Sequence, residues 1–142
     1  MILLDVNVLV YAYSEDASEH QATKRYMEEL FAGPEVLGIP WITIWGFLRV
    51  ITNPRAAHNP ASLDEAFALV RDWLSVPTVT PIGPGPRHLE LLEQLATRYG
   101  ISGARMTDVS LAALAIENGA VLASTDRGFG RFRELNWVNP LD

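Results

Sequence analysis

The sequence contains no cysteine, only one lysine (Lys24) and no long apolar run. The absence of cysteine excludes disulfides, zinc–thiolate sites and cysteine nucleophiles. Charged residues, glycine or proline interrupt every apolar stretch before it reaches the roughly 20 residues that a membrane-spanning helix needs. No basic segment precedes the first apolar run, so we expect neither a signal peptide nor a membrane anchor, and a cytoplasmic location.

Acidic residues are absent between Glu35 and Asp64, although the chain as a whole has a net charge of −6 and a pI near 5.0. An acidic total argues against a protein that binds nucleic acid. However, Arg49 and Arg55 lie within the acid-free stretch, and Arg127 begins a second group of arginines. The uneven distribution of charge therefore leaves a polyanionic substrate open.

The 142 residues, 49% of them hydrophobic, are enough for one domain with a substantial buried core. Short apolar segments alternate with segments of helical periodicity. The predicted strands cover residues 2–6, 36–39, 78–82, 121–123 and 137–138. The predicted helices cover residues 6–13 (a helix or a turn), 18–33, 41–52, 62–74, 85–100 and 107–118, with a short helical turn at 129–134. This order predicts a single α/β domain, residues 1–142, with a mainly parallel central sheet of about five strands and helices on both faces.

Two tetrapeptides have the form of a helix-capping box, in which a serine and a Glu or Gln three residues later satisfy free N–H groups. Ser18 precedes Gln21, and Ser62 precedes Glu65. We therefore expect a helix to begin at each of these serines.

Three aspartates are expected where strands of this sheet end, at one edge. Asp5 lies near the end of the first predicted strand, Asp126 comes shortly after the strand at 121–123, and Asp108 lies at the start of an alanine-rich helix. The functional crevice of such a sheet lies beyond the carboxyl ends of its strands. Clustered like charges are costly unless a cation neutralises them, so the pattern predicts a hard divalent metal. A metal held by carboxylates is a common means of hydrolysing phosphodiester bonds.

Each aspartate also has a purely structural explanation. Asp5 is a favourable helix N-cap, Asp108 suits the first turn of a helix, and Asp126 suits the turn after a strand. Asn7 is compatible either with orienting a metal-bound water or with a local turn. The joint placement of the three carboxylates is what favours a functional site.

Four segments of the chain, in order, resemble PIN-domain proteins, and more narrowly the VapC toxins of bacterial toxin–antitoxin pairs. They are Leu-Leu-Asp-Val-Asn-Val-Leu-Val-Tyr, Phe-Leu-Arg-Val-Ile-Thr-Asn-Pro, Thr-Asp-Val-Ser-Leu-Ala-Ala-Leu-Ala-Ile-Glu-Asn-Gly-Ala and Ser-Thr-Asp-Arg-Gly-Phe. The resemblance extends from Ile2 to Leu141. It implies one Rossmann-like α/β/α PIN domain, endoribonuclease activity that depends on Mg²⁺ or Mn²⁺, and dimerisation. It also implies an RNA substrate such as tRNA or ribosomal RNA, and a small VapB-like antitoxin as inhibitor.

The resemblance implies three catalytic, metal-binding acids, which are Asp5, Asp108 and Asp126. Asn7 and Thr125 would support them through hydrogen bonds. One position departs from the family pattern, because many PIN nucleases carry a glutamate on the helix after the second strand, where this chain has Gly46. This departure leaves the number of metals, one or two, open.

The resulting hypothesis is metal-assisted hydrolysis of RNA, with Arg49, Arg55 and Arg127 positioning backbone phosphates. The first alternative is a catalytically weak or inactive PIN module that acts by binding a partner or RNA, since the glutamate is missing. The second is a phosphatase of the haloacid-dehalogenase type, which also has an aspartate after its first strand. That class needs a further aspartate where this chain has Asn7, and a lysine, of which only Lys24 is present.

Trp41 and Trp45 lie four residues apart on one predicted helix and form a stripe wide enough for a partner surface. By analogy, this stripe is a candidate for the surface that binds an apolar helix of the antitoxin. Burial of both side chains in the core is an equally good interpretation.

Overall fold

The protein is described by a computed structural model that covers residues 1–142. Its strands are β1 (Ile2–Leu4), β2 (Leu37–Pro40), β3 (Val79–Ile82), β4 (Val121–Ala123) and β5 (Asn136–Val138). They form one sheet in the order β3-β2-β1-β4-β5, and every neighbouring pair is parallel. The prediction of a mainly parallel sheet of about five strands is confirmed.

Six α-helices connect and cover these strands. They are α1 (Val6–Tyr13), α2 (His20–Ala32), α3 (Trp41–Ile51), α4 (Leu63–Ser75), α5 (His88–Tyr99) and α6 (Met106–Glu117). Two short 3-10 helices, Gly103–Arg105 and Arg127–Arg131, precede α6 and follow β4. None of the helices has both the length and the apolar character that crossing a membrane requires.

The sheet separates two hydrophobic cores. Leu3 packs with residues of α5 and α6 on one face, whereas its neighbour Leu4 packs with residues of α1, α2, α3 and α4 on the other. Consecutive side chains of a strand point to opposite faces, so a strand buried on both faces must be apolar without alternation. This is why the segment Ile2–Leu4 reads as a continuous apolar run, and it gives the three-layer α/β/α architecture.

One of the two predicted capping boxes is confirmed and the other is wrong. The Ser62 hydroxyl accepts a hydrogen bond from the Glu65 backbone N–H at 3.1 Å, and α4 begins at the next residue, Leu63. The Ser18 hydroxyl instead donates to the Glu19 carboxylate at 2.9 Å. A turn closed by the hydrogen bond from His20 N–H to the Ala17 carbonyl already leads the backbone into α2, so Ser18 does not occupy the N-cap position.

The chain path places the ends of three neighbouring strands at one edge. From β1 the chain proceeds outward to β2 and β3, then returns to the other side of β1 to form β4 and β5. Asp5, Trp41 and Ser124 directly follow β1, β2 and β4. The edge beside β1 is therefore the switch point of the sheet, where parallel α/β folds form a crevice.

The middle of β2 has no room for a side chain at Gly38. A Cβ atom there would collide with Leu3 Cδ2 and lie 2.8 Å from Ile82 Cγ1. We expect Gly38→Ala to lower the free energy of unfolding by about 1–3 kcal/mol, because overpacking strains a well-packed core. Urea unfolding measures this change. The matched control is Gly83→Ala, whose Cβ would only touch Trp41 Cδ1 at an ordinary 3.8 Å. An equal loss in both variants would contradict the packing argument.

Candidate active site

Asp5 lies at the centre of the crevice, with only 8% of its surface exposed. Its carboxylate atom Oδ1 accepts a hydrogen bond from the Val6 N–H at 2.7 Å and thereby caps α1. The other oxygen, Oδ2, accepts hydrogen bonds from the Ser124 hydroxyl at 2.6 Å and from the Asn7 side-chain amide at 2.9 Å. The structural role expected for Asp5 as an N-cap is therefore confirmed, and the same carboxylate is held rigidly at the sheet edge.

Ser124 is the fully buried hydrogen-bonding centre of this edge. Besides donating to Asp5, its hydroxyl accepts from the Asn7 amide at 3.1 Å and from the Asp126 backbone N–H at 3.0 Å. The sequence analysis assigned a supporting role to Thr125 and missed Ser124. Thr125 contributes its backbone N–H, which donates to Asn7 Oδ1 at 3.1 Å. The sequence feature that could have indicated Ser124 is its position directly after the predicted strand at 121–123.

Asp126 and Asp108 lie beside Asp5 but are held in different ways. The Asp126 carboxylate accepts from the Gly128 N–H at 2.8 Å and caps the 3-10 helix after β4, as turn chemistry predicts. Asp108 lies in the first turn of α6, which follows a 3-10 helix. The expectation that a strand ends at Asp108 is therefore wrong, whereas its position at the mouth of the alanine-rich helix is confirmed.

The three carboxylates lie close enough to repel one another. Burial raises the pKa of Asp5, and the charges of Asp108 and Asp126 raise it further, against the opposing hydrogen bonds from Ser124 and Val6. Burial likewise raises the pKa of Asp108, and the Asp126 charge adds to this effect. The edge of the sheet is therefore a site of concentrated and only partly solvated negative charge.

The three carboxylates do not form a closed set of metal ligands. No group of three or more Asp, Glu, His or Cys side chains is arranged so that it could hold a metal ion by itself. Asp5, Asp108 and Asp126 thus share one electrostatic environment without forming one tight shell of ligands.

Two arginines that the sequence analysis did not single out face this charge. Arg131 and Arg105 both lower the pKa of Asp108, against the raising effect of burial and Asp126. Both flank the site from 3-10 helices. The helical turn predicted at 129–134 overlaps the second of these helices, whereas the first was not predicted. They place positive charge on the α6 side of the three carboxylates.

The three arginines proposed from sequence are placed differently. Arg49 lines the same cleft as Asp5. Arg127 forms an exposed ion pair with Asp142, with Nη2 and Oδ1 2.6 Å apart. Arg55 precedes residues 57–59, which share a hollow with the residues that end α1. Asp5 caps the other end of this eight-residue helix. The length of α1, about 12 Å, therefore separates this hollow from Asp5.

A cleft of about 330 Å³ opens beside Asp5, between the start of α1, the outer face of α3 and the first turns of α6. Gly46 and Trp45 of α3 line it, so position 46 faces the site. A Cβ atom at Gly46 would lie only 3.1 Å from Val6 Cγ2. No carboxylate therefore reaches the site from α3, and the space next to Asp5 remains open.

The sequence of the chain matches the PIN-domain family over residues 2–135. The chain therefore belongs to the PIN-domain family and, within it, to the VapC type. It is 42% identical over 142 residues to Ribonuclease VapC43 of Mycobacterium tuberculosis, a match that covers 100% of this chain and 97% of that protein. It is 36% identical over 141 residues to Ribonuclease VapC33 of the same organism, covering 99% of each chain. This membership excludes the phosphatase alternative.

Solved structures agree with the fold. VapBC2 from Rickettsia felis, bound to a DNA fragment from its promoter, is similar with a TM-score of 0.72 and 18% identity over 98% of each chain. VapC20 of Mycobacterium tuberculosis, described as a sarcin–ricin-loop-cleaving toxin, has a TM-score of 0.70 and 17% identity, covering 96% of this chain and 99% of that one. At these identities the likeness concerns the fold alone.

The hydroxyl of Ser124, rather than that of Thr125, should hold the site together. We expect Ser124→Ala to lower the free energy of unfolding by about 1–3 kcal/mol, because buried groups of Asp5, Asn7 and Asp126 each lose a hydrogen-bond partner. Thr125→Ala, which keeps its backbone N–H, should change stability by no more than about 0.5 kcal/mol. Urea unfolding of both variants tests this, and a larger loss for Thr125→Ala would contradict it.

The charge of Asp108 should destabilise the metal-free protein at neutral pH. Below about pH 4, the ordinary pKa of an aspartate, the Asp108 carboxyl is neutral in both the folded and the unfolded chain. Its pKa is raised in the folded chain, so stability is lost as the pH rises from the unfolded pKa through the folded one. In EDTA, Asp108→Asn should therefore unfold at higher urea than the native chain at pH 7, and the difference should vanish near pH 4.

The matched control for this experiment is Asp72→Asn, which changes an exposed aspartate on α4. Its stability should stay within about 0.5 kcal/mol of the native chain at every pH. An Asp108→Asn variant that is less stable than the native chain at pH 7 would show that the carboxylate stabilises the fold.

Proposed function

We propose that this protein is a VapC-type endoribonuclease, the toxin of a type II toxin–antitoxin pair, which hydrolyses RNA phosphodiester bonds. Asp5, Asp108 and Asp126 would hold a divalent metal, Mg²⁺ or Mn²⁺. The observation that carries the proposal is the convergence of these carboxylates at the switch point of a PIN-domain sheet, where the pKa values of Asp5 and Asp108 are raised. A bound cation would relieve their mutual repulsion.

The donors at the site fit a hard cation. They are carboxylate oxygens, with no cysteine anywhere in the chain. Mg²⁺ usually keeps several waters and takes only one or two carboxylates directly, so it does not need a closed cage of side chains. When bound, the metal would lower the pKa of a water and stabilise the charge that develops on the phosphate.

The surrounding residues would orient the carboxylates. Ser124 and Asn7 both donate to Oδ2 of Asp5, which fixes the plane of the carboxylate. Oδ1 accepts only from the Val6 N–H and so keeps a lone pair free. Asn7 also accepts from the Thr125 N–H, so it connects the loop after β4 to the start of α1. In this proposal Asn7 and Thr125 support catalysis through position, without contact with the reacting atoms.

Arginines on both sides of the carboxylates would hold the RNA backbone. Arg49 lies on the α3 side, and Arg105 and Arg131 lie on the α6 side. Arg127 would have to exchange its ion pair with Asp142 for a phosphate, and Arg55 would reach only RNA that extends past the site. Contacts of this kind position the backbone and carry no sequence information.

The comparisons support an antitoxin as a partner of this chain. Several similar structures are complexes of a toxin with its antitoxin, among them VapBC-1 from Haemophilus influenzae. We therefore propose a VapB-like antitoxin as inhibitor, a homodimeric toxin, and action in the cytoplasm on a structured RNA such as tRNA or ribosomal RNA. The stripe of Trp41 and Trp45 as the antitoxin surface remains a prediction from sequence.

A catalytically inactive PIN module is the second candidate function. The observation in its favour is Gly46, which leaves α3 without a carboxylate at the site. Such a module would bind RNA or a partner without hydrolysing RNA. Cleavage assays separate the two candidates directly.

Asp5→Asn should abolish cleavage while leaving the fold intact. Asparagine keeps an acceptor oxygen for the Val6 N–H, so α1 remains capped, but the charge that holds the metal is lost. Because its amide group no longer accepts from Ser124 and Asn7, circular dichroism is used to verify that the variant is folded. We expect the rate to fall by at least roughly 100-fold, because metal-based stabilisation of the transition state contributes several kcal/mol. The measurement is cleavage of total cellular RNA by antitoxin-free protein in Mg²⁺ or Mn²⁺, with EDTA in parallel.

Asp72→Asn is the matched control for a change of net charge, and it should cleave like the native chain. Equal cleavage by Asp5→Asn would indicate a contaminating nuclease and reject the proposed site. If the folded native chain does not cleave but gains stability with Mg²⁺, about 2.7 kcal/mol at 100 times the dissociation constant, the inactive module is correct.

A further inference from the structure

The cleft beside Asp5 has features that the hydrolytic site does not need. One end is the Asp5 carboxylate, and Arg49 lies on the α3 wall. Between them the lining is largely apolar and includes Val6, Ile42 and Leu111. A volume of about 330 Å³ is within the range of small-ligand sites, which combine apolar walls with a few polar groups.

Trp45 provides the cleft with an exposed aromatic face. Its side chain is 65% exposed, more than that of any other tryptophan in the chain. Phe47, two residues later, is fully buried. An aromatic ring at the mouth of a cleft is the usual platform for an unpaired base, because every base has a π-face. Trp41, on the same helix, is also exposed but does not line the cleft.

Arg49 is free to bind an anion. None of the four ion pairs in the structure involves it. Its helix lies in the stretch of the chain without acidic residues, so no carboxylate of α3 competes for it. A guanidinium one helical turn from an exposed tryptophan matches a nucleotide, which presents a base and a phosphate together.

Gly46 keeps this space open. Its Cβ position is already crowded by Val6 Cγ2 at 3.1 Å, so a larger side chain would be forced against Val6 and into the cleft. The residue that removes an acid from the site thus also creates the room for a ligand.

We propose that this cleft binds one unpaired nucleotide of the RNA substrate, with its base stacked on Trp45 and its phosphate paired with Arg49, next to the phosphodiester held at Asp5. The proposal rests on the proposed ribonuclease function and adds Trp45 as a residue that positions the RNA beside Asp5. A second copy of the chain is the alternative occupant of the Trp45 face, and the test below distinguishes it from RNA.

The test measures binding separately from cleavage. A fluorescein-labelled, short single-stranded RNA of mixed sequence is titrated in Ca²⁺, with a gel to verify that the RNA stays intact. We expect Trp45→Ala to weaken binding by about 5- to 100-fold, the range for loss of one base–aromatic stack. Trp45→Phe should retain most of the affinity, since it keeps a stacking face.

Two controls isolate the cleft. Trp41→Ala removes an exposed tryptophan from the same helix outside the cleft, and it should bind like the native chain. A duplex of the same sequence should bind the native chain and Trp45→Ala equally, because its bases are not free to stack. Arg49→Gln should weaken single-strand binding and make it less sensitive to salt.

The outcomes separate this inference from the ribonuclease proposal. Equal single-strand affinity of Trp45→Ala and the native chain, or no measurable binding by the native chain, overturns the nucleotide cleft. Loss of self-association in Trp45→Ala, seen by sedimentation velocity with unchanged RNA affinity, also overturns it and assigns Trp45 to a protein contact. Binding that depends on Trp45 in a chain that does not cleave RNA supports the cleft and rejects hydrolysis alone.

Discussion

The parallel pairing of β1 with β4 is the interaction on which the rest of the site depends. It places Leu4 beside Ala123 and is continued by a hydrogen bond from the Asp5 N–H to the Ala123 carbonyl at 3.0 Å. Residues 119 positions apart in the chain, Asp5 and Ser124, thereby become hydrogen-bonded neighbours. A slip of one residue in this register would turn the Asp5 side chain to the other face. Register is pinned because Leu3 and Leu4 are each buried in a different core, so the apolar packing of the sheet determines the position of the charged site.

Burying the Asp5 carboxylate costs folding free energy, although the proposed function requires the carboxylate at this position. The hydrogen bonds from Ser124, Asn7 and Val6 offset part of the cost of removing Asp5 from water, yet burial remains the largest influence on its pKa. Two of the three aspartates also have a structural role, since Asp5 and Asp126 cap the elements that follow them. The structural and functional explanations weighed for each residue are therefore compatible, because a capping carboxylate has lone pairs that the cap does not use. Local geometry positions these groups, and in the proposed function their shared charge would attract a cation.

The sheet and the convergence of Asp5 with Asp126 could be predicted from sequence, because buried parallel strands read as apolar runs and their order determines which ends meet. The roles of individual residues directly after a strand could not be predicted. Ser124 and Thr125 are both polar and adjacent, and only the register shows which side chain points inward. Loops limit prediction in the same way. The helical turn predicted at 129–134 lies close to the observed 3-10 helix, but the pattern does not indicate that Arg131 faces Asp108. The turn before α2 likewise displaces Ser18 from the cap. The family resemblance supplied the roles of the acids, which the spacing alone left ambiguous.

Gly46 connects catalysis with substrate binding. A site with one carboxylate fewer has less charge to hold metal, so more of its work falls on holding the phosphodiester in place. Stacking a neighbouring base on Trp45 would supply that positioning from a part of the substrate that does not react. Binding energy from such a remote contact accelerates the reaction only if it orients the scissile phosphate, and otherwise lowers KM alone. The division of the Trp45 effect between kcat and KM would thus show whether the cleft only tethers RNA or aligns it for attack at Asp5.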